Sequence, residues 1–153
     1  MNPGLFVCYN SFGDNMERIE KQMRFILEID KEKQIQRKTL QSNGKNFEDD
    51  AQHAWHMAIM TLLLSEYANE EIDVLKTISM LLIHDLVEID AGDTYAYDVQ
   101  GLKTQSKREK LAANRIFNLL PEDQAKKMFD LWNEFEERKT AEAKFAKVMD
   151  NFQ

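Results

Sequence analysis

An all-α fold, one helical bundle around a buried central helix, is what this sequence predicts. Three observations carry it. The chain has only 5 Gly and 2 Pro in 153 residues, runs of alternating polarity are few, and a central stretch is apolar all round a helical wheel. In that stretch Val74, Leu75, Ile78, Met80, Leu81, Leu82, Ile83, Leu86, Val87 and Ile89 cover every side, which predicts a buried helix rather than an amphipathic one. The adjacent pair His84 and Asp85 interrupts it. Desolvating a lone charged Asp costs several kcal/mol or more. Asp85 beside an imidazole, with Glu88 one turn on, therefore suggests a bound cation that compensates the charge.

The other elements follow in chain order. Residues 1–15 hold two of the five glycines and one of the two prolines. Lacking helical periodicity, they read as an N-terminal extension, with the domain proper over residues 16–153. Glu17 to about Lys33 predicts an amphipathic helix with Ile19, Met23, Ile26 and Leu27 on the core. A polar loop with Asn43 and Gly44 at its turn follows, and Arg37 and Lys38 lie just before it. A second helix is expected from Ala51 to about Tyr67, capped by Asp49 or Asp50, with Trp55, Ala58, Ile59, Leu62, Leu63 and Tyr67 on its apolar side. Asp73 is placed to cap the central helix and Gly92 to end it.

Residues 93–106 read as the longest loop inside the domain and as the rim of a site. Tyr95 and Tyr97 would border a nucleobase there, or merely cover the loop. Helical spacing resumes at Lys107 through Leu111, Ile116, Leu119 and Leu120. Pro121 then opens a helix at its first position, with Met128, Phe129, Leu131, Trp132 and Phe135 facing the core. Thr140 caps a last segment that carries Phe145, Val148, Met149 and Asp150.

Composition excludes several function classes. The net charge of -7 argues against a general binder of nucleic-acid polymers, which would present a basic face. A single cysteine, Cys8, rules out an intramolecular disulfide framework and a Cys-rich zinc site, and suits a reducing cytoplasm. No segment approaches the roughly 18 apolar residues needed to span a bilayer, so no membrane is expected as a partner.

The chain's three histidines all fall on the second and central helices. Imidazole nitrogen with carboxylate oxygen suits a borderline divalent cation. Helices packed side by side could bring His53, His84 and Asp85 around one ion, with a fourth ligand from a distant helix. Spacing alone leaves this level with a satisfied core histidine and a structural aspartate. Glu88, on the same face as His84, could orient water, act as general base, or only fix a ligand. Asp93 could reach substrate or serve as a turn former, and His56 reads as a supporting or core residue.

The run DAQHAWHMAIMTLLL, followed about thirty residues later by LLIHDLVEIDAGDT, resembles the HD-domain superfamily of metal-dependent phosphohydrolases. Within it the sequence is most similar to the small branch of 5'-deoxynucleotidases. The resemblance runs from about Arg37 to Asp150 and rests on the AQH-type first motif, HDLVE and the following GD. It implies an all-helical domain holding a divalent metal, whether manganese, cobalt, zinc, iron or magnesium. The ligands it implies are His53, His84, Asp85 and, in AKVMD, Asp150. It further implies Glu88 and Asp93 as catalytic acids and Arg37 as the phosphate-binding residue. The expected reaction is hydrolysis of a deoxynucleoside 5'-monophosphate by a homodimer. A diesterase or pyrophosphohydrolase on another nucleotide, and a metal-stabilised binding module without activity, are the rival expectations. The family usually continues beyond the last aspartate with a closing helix. Here Gln153 follows Asp150 by three positions, so that helix is expected to be missing and Asp150 to lie near a frayed end.

Overall fold

The central apolar run does not fold as one helix. The computed structural model describes the backbone of residues 3–93 and 99–153 and the side chains of residues 15–93, 101 and 103–153. In it Val74–Ile83 forms α3, His84–Val87 tightens into a 3-10 turn, and Glu88–Ala91 resumes as the short α4. A stretch of 3-10 geometry inside a helix often marks function, and this one carries the His–Asp pair. Asp73 caps α3 by accepting from the Lys76 backbone N–H, and Gly92 ends α4 with φ at 73°, where an L side chain would be strained. The expectation of burial on every side is corrected. Leu75 is 75% exposed and Leu82 44%, while Met80, Leu81, Leu86 and Val87 are buried. Packing against α2 (Asp50–Leu64), α6 (Glu122–Glu137) and α7 (Ala141–Phe152) leaves one side of α3 uncovered.

Helix α1 spans Pro3–Ile29, starting well before Glu17, and runs into a 3-10 turn at Asp30–Gln34. Its expected core face is also corrected. Ile19, Met23, Ile26 and Leu27 are exposed, and Phe25 is the side chain that enters the core. The loop expected after Ile35 contains a small antiparallel hairpin, β1 (Gln36–Leu40) with β2 (Phe47–Asp49). Strands of five and three residues are too short to show the alternation that identifies a strand. Asn43 tightens the turn by accepting from the backbone N–H groups of Lys45 and Asn46.

At the start of α2, Asp49 makes a reciprocal capping box with Gln52, an arrangement in which the cap alone stabilises a helix by about 1 kcal/mol. Helix α5, Val99–Phe117, begins earlier than the expected Lys107. Residues 99–106, expected in a loop, are therefore helical, and Tyr95 and Tyr97 lie outside the described residues. Pro121 occupies the N-cap of α6 rather than its first helical position, and Thr140 caps α7 as expected, accepting from the Ala143 N–H.

Two clusters make the core. Phe25, Leu86, Ile116, Phe117 and Trp132 belong to one, and Met57, Met80, Leu81, Phe135 and Met149 to the other. Each large apolar side chain so buried contributes about 1.5–3 kcal/mol. His84 and Asp85 stand in the chain between Leu81 of the second cluster and Leu86 of the first, so packing on both sides fixes the turn that presents them. Among the described residues, no helix is long and apolar enough to cross a membrane.

Candidate metal centre

Three separate elements deliver the site. Along its length α2 turns Asp50, His53, Ala54, Met57 and Thr61 inward, the i, i+3, i+4 stripe of one helical face, with His53 in its first turn. The 3-10 turn supplies His84 and Asp85, and the last turn of α7 supplies Asp150. Asp150 Oδ1 lies 3.2 Å from His53 Nε2 and 3.8 Å from His84 Nε2. Asp85 Oδ1 lies 3.1 Å from His84 Nε2, and its Oδ2 4.0 Å from His53 Nε2. The structure thus brings together His53, His84, Asp85 and Asp150 from positions far apart in the chain.

The His84 imidazole is turned the way a ligand needs. His84 Nδ1 sits 2.9 Å from the Leu81 carbonyl oxygen. Only a protonated Nδ1 can donate there, so Nε2 is the nitrogen that faces the carboxylates and that would ligate a cation on losing its proton. His53 Nδ1 is 3.4 Å from Glu48 Oε2 but makes no hydrogen bond among the described residues, so Glu48 stands close behind the ring without fixing its tautomer. Among the described residues, ligand atoms of His53, His84 and Asp150 all lie within 4.8 Å of one another and could hold a metal ion.

The charge balance fits a cation as well. Glu48, Asp50, Asp85 and Glu88 are buried, and the Asp150 side chain is only 12% exposed. Arg37 and Lys147 pair directly with this group. Asp50 Oδ2 and Glu88 Oε2 are buried without a hydrogen-bond partner among the described residues. Buried carboxylates in such surplus are costly unless something positive joins them, and nitrogen with oxygen donors suits a borderline divalent ion. The residues present therefore fit the group.

The remaining expected site residues adjoin this centre. Arg37, on β1, reaches Asp85 Oδ2 at 2.8 Å and Asp50 Oδ1 at 3.2 Å through Nη1, while its buried Nε, 4.0 Å from Glu48 Oε2, makes no hydrogen bond among the described residues. It shares a pocket of about 520 Å³ with His84, Asp85, Glu88, Asp93 and Asp150. His56 is corrected: it is exposed on α2, stacked on Trp55 at 6.0 Å between ring centroids, and supports nothing at the site. Trp55, expected in the core, is exposed too, whereas Trp132 is buried. Four contributors escape a sequence reading, namely Asp50, Glu48, Glu32 and Lys147. Asp50 alone had a local signal, since it precedes His53 by three positions on the same face, but it read equally well as a cap.

With no cation counted, the surplus charge moves several protonation equilibria. Burial first, then the charges of Asp85 and Asp50, push Glu88 up to about 10. Burial and Asp85 push Asp50 and Glu32 up to about 7. His84, pulled down by burial, is carried up to about 9 by Asp85 and Asp150. Asp150 goes the other way: burial opposes its ionisation, but His53 and His84 hold it well below the usual carboxylate range.

Unfolded carboxylates titrate near ~4. Above that pH the folded chain keeps protons that the unfolded chain has lost, so stability falls with rising pH, through about 7 for Asp50 and Glu32 and about 10 for Glu88. The His84 contribution, complete below the ordinary imidazole range, is lost as pH passes about 9. Metal-stripped protein should therefore melt lower at pH 8 than at pH 5.5, on the order of 5 °C, and an added divalent cation should reverse most of that loss. Scanning calorimetry at the two pH values checks this; a stripped protein that melts higher at pH 8 contradicts it.

Comparison with protein families matches residues 29–153 to the HD domain. The 5'-deoxynucleotidase HDDC2 of Bos taurus is 33% identical over 109 residues, covering 71% of this chain and 51% of that protein. Its namesake in Dictyostelium discoideum is 36% identical over 111 residues, covering 69% and 58%. The chain thus spans little more than half the length of these curated relatives. A solved structure titled as a predicted metal-dependent phosphohydrolase from Magnetospirillum magnetotacticum superimposes with a TM-score of 0.83 at 48% identity, covering 88% of this chain and 67% of that one.

Proposed function

This chain belongs to the HD-domain family, and on that premise we propose that it is a metal-dependent phosphohydrolase that converts (deoxy)nucleoside 5'-monophosphates to nucleoside and phosphate. The observation that carries the reading is the convergence of two imidazole Nε2 atoms on Asp150 Oδ1, at 3.2 and 3.8 Å, with Asp85 against both rings. His53, His84, Asp85 and Asp150 would hold the cation. Bound there, a divalent ion supplies Lewis-acid polarisation of a phosphoryl oxygen and lowers the pKa of water. The rest is done by the chain. Arg37, fixed by Asp85 and Asp50 through Nη1, lines the pocket and offsets the charge of the phosphate. Glu88 Oε2, buried and without a partner, accepts the proton of the attacking water, a role that requires Glu88 ionised. The positive charge of a bound cation favours that form. Asp93, lining the same pocket, steadies the water or the leaving sugar.

The nucleotide substrate rests on the relatives named 5'-deoxynucleotidase and on a pocket of about 520 Å³, within the range of small-molecule sites. The test is phosphate release from deoxy- and ribonucleoside 5'-monophosphates, with a nucleotide diester and a triphosphate alongside, by chelated protein re-supplied with one metal at a time. Release from the monophosphates, lost on chelation, is expected. Turnover confined to the diester or triphosphate would replace nucleotidase with diesterase or pyrophosphohydrolase, and none with any metal would favour a binding module.

Two copies are proposed to associate through the outer face of α2. Trp55, Leu62 and Leu63 there, and Tyr67 in the 3-10 turn that follows at Ser65–Tyr67, are each more than half exposed, with Ile59 beside them. That is on the order of 600 Å² of apolar surface, the upper end of what a monomer shows and near the ~800 Å² a stable interface buries per partner. Sedimentation equilibrium should give a two-chain mass for the wild type and a one-chain mass for Trp55→Glu; a one-chain wild type at micromolar concentration defeats the idea. The single cysteine supports a reducing, cytoplasmic setting, which cell fractionation would check.

A further inference from the structure

Asp150 presents two oxygens, and the structure gives each a different partner. Oδ1 faces the imidazoles of His53 and His84, at 3.2 and 3.8 Å. Oδ2 accepts from the Lys147 ammonium at 2.5 Å. Lys147 stands one turn earlier on α7, on the same face. Its ammonium also lies 5.5 Å from the centre of the Phe135 ring, within the reach of a cation–π contact. The same ring packs against His84, 4.6 Å between centroids, and Phe135 is 2% exposed. One buried aromatic side chain therefore braces a ligating imidazole and anchors the cation that grips a ligating carboxylate.

We propose that Lys147 is a positioning residue of the metal centre: anchored over the Phe135 ring, its ammonium holds Asp150 Oδ2 and so turns Oδ1 toward the two imidazoles. The inference rests on the metal-site reading above. A carboxylate rotates broadly about its terminal torsion, and a fixed donor on one oxygen removes that freedom. The bland alternative is a solvated lysine, but the Lys147 side chain is only 26% exposed and lines the pocket. A second physical effect opposes the proposal, because an ammonium beside the site also repels the ion. Orientation prevails because negative charge is already in surplus here. Glu48, Asp50, Asp85 and Glu88 are all buried around the ligands, so losing one more positive charge adds little attraction, while losing the donor frees Asp150 to turn.

The test uses Co2+ as its probe. Titration calorimetry and the visible spectrum of bound Co2+ would be measured for the wild type, Lys147→Met, Lys147→Gln, Lys147→Arg and Asp85→Ala, each chelated first. The methionine variant should bind Co2+ about 10–100-fold more weakly, the range for removing a residue that supports a ligand, with an altered cobalt spectrum and a native far-UV circular dichroism spectrum before metal is added. Glutamine, a neutral donor, should fall between methionine and wild type, and stands in if the methionine variant fails to fold. Arginine should restore binding to within a few-fold. Undiminished or tighter binding by the methionine and glutamine variants would overturn the proposal, as would an arginine variant no better than methionine. A wild type that takes up no Co2+ would instead remove the metal-site reading beneath it, and Asp85→Ala separates the cases because it loses the ion however Lys147 acts.

Discussion

Asp85→Ala is expected to lose the metal ion and phosphate release together. The carboxylate touches His84 Nε2 at 3.1 Å through Oδ1, and through Oδ2 it lies 4.0 Å from His53 Nε2 and 2.8 Å from Arg37 Nη1. Removing one charged member of a buried set costs about 3–5 kcal/mol. Expressed as cation affinity, that is on the order of 10²–10⁴-fold. The fold should survive. Arg37 keeps Asp50 at 3.2 Å and Glu48 at 4.0 Å, and α3 and α7 pack through the Met80, Leu81 and Met149 cluster. Circular dichroism would confirm the fold, and metal analysis after dialysis would read the loss. Full retention of the ion by the variant would remove Asp85 from the ligand set.

Glu88→Gln should separate binding from chemistry. Glu88 lies in the pocket, buried, with Oε2 unpartnered, and no ion pair ties it to either histidine among the described residues. Glutamine keeps the shape and removes the proton acceptor. The rate should fall by about 10²–10⁴-fold, the range for a general base, while Co2+ or Mn2+ binding changes only a few-fold. Loss of metal equal to that of Asp85→Ala would demote Glu88 from proton acceptor to support for a ligand.

How much was legible from sequence differs by residue, for physical reasons. His84 and Asp85 announced themselves because a buried charge in an apolar run demands an explanation. Their closeness to His53 and Asp150 is long-range, and the match to the family's motifs anticipated it. The outward face of α2 misled. Trp55, Ile59, Leu62 and Leu63 are its more apolar residues, yet the side that turns inward carries Asp50, His53 and Thr61. Ile19, Met23, Ile26 and Leu27 on α1 repeat the error. A hydrophobic stripe says which side avoids water, not which molecule covers it. The 3-10 turn at His84–Val87 leaves no trace in periodicity, and the β1–β2 hairpin that places Arg37 is too short to leave one. Lys147 and Asp150, three apart on a helix, look like an ordinary surface ion pair until the fold puts Phe135 beneath them.

The most direct test of the metal centre is equilibrium dialysis of chelator-stripped protein against Mn2+ or Co2+, with elemental analysis of wild type, His53→Ala and Asp150→Asn. The arrangement of His53, His84, Asp85 and Asp150 predicts about one tightly held ion per chain in the wild type, as expected for a single site with four protein ligands, and much weaker retention in both variants. A wild type that retains no ion, or variants that retain it fully, would contradict the account.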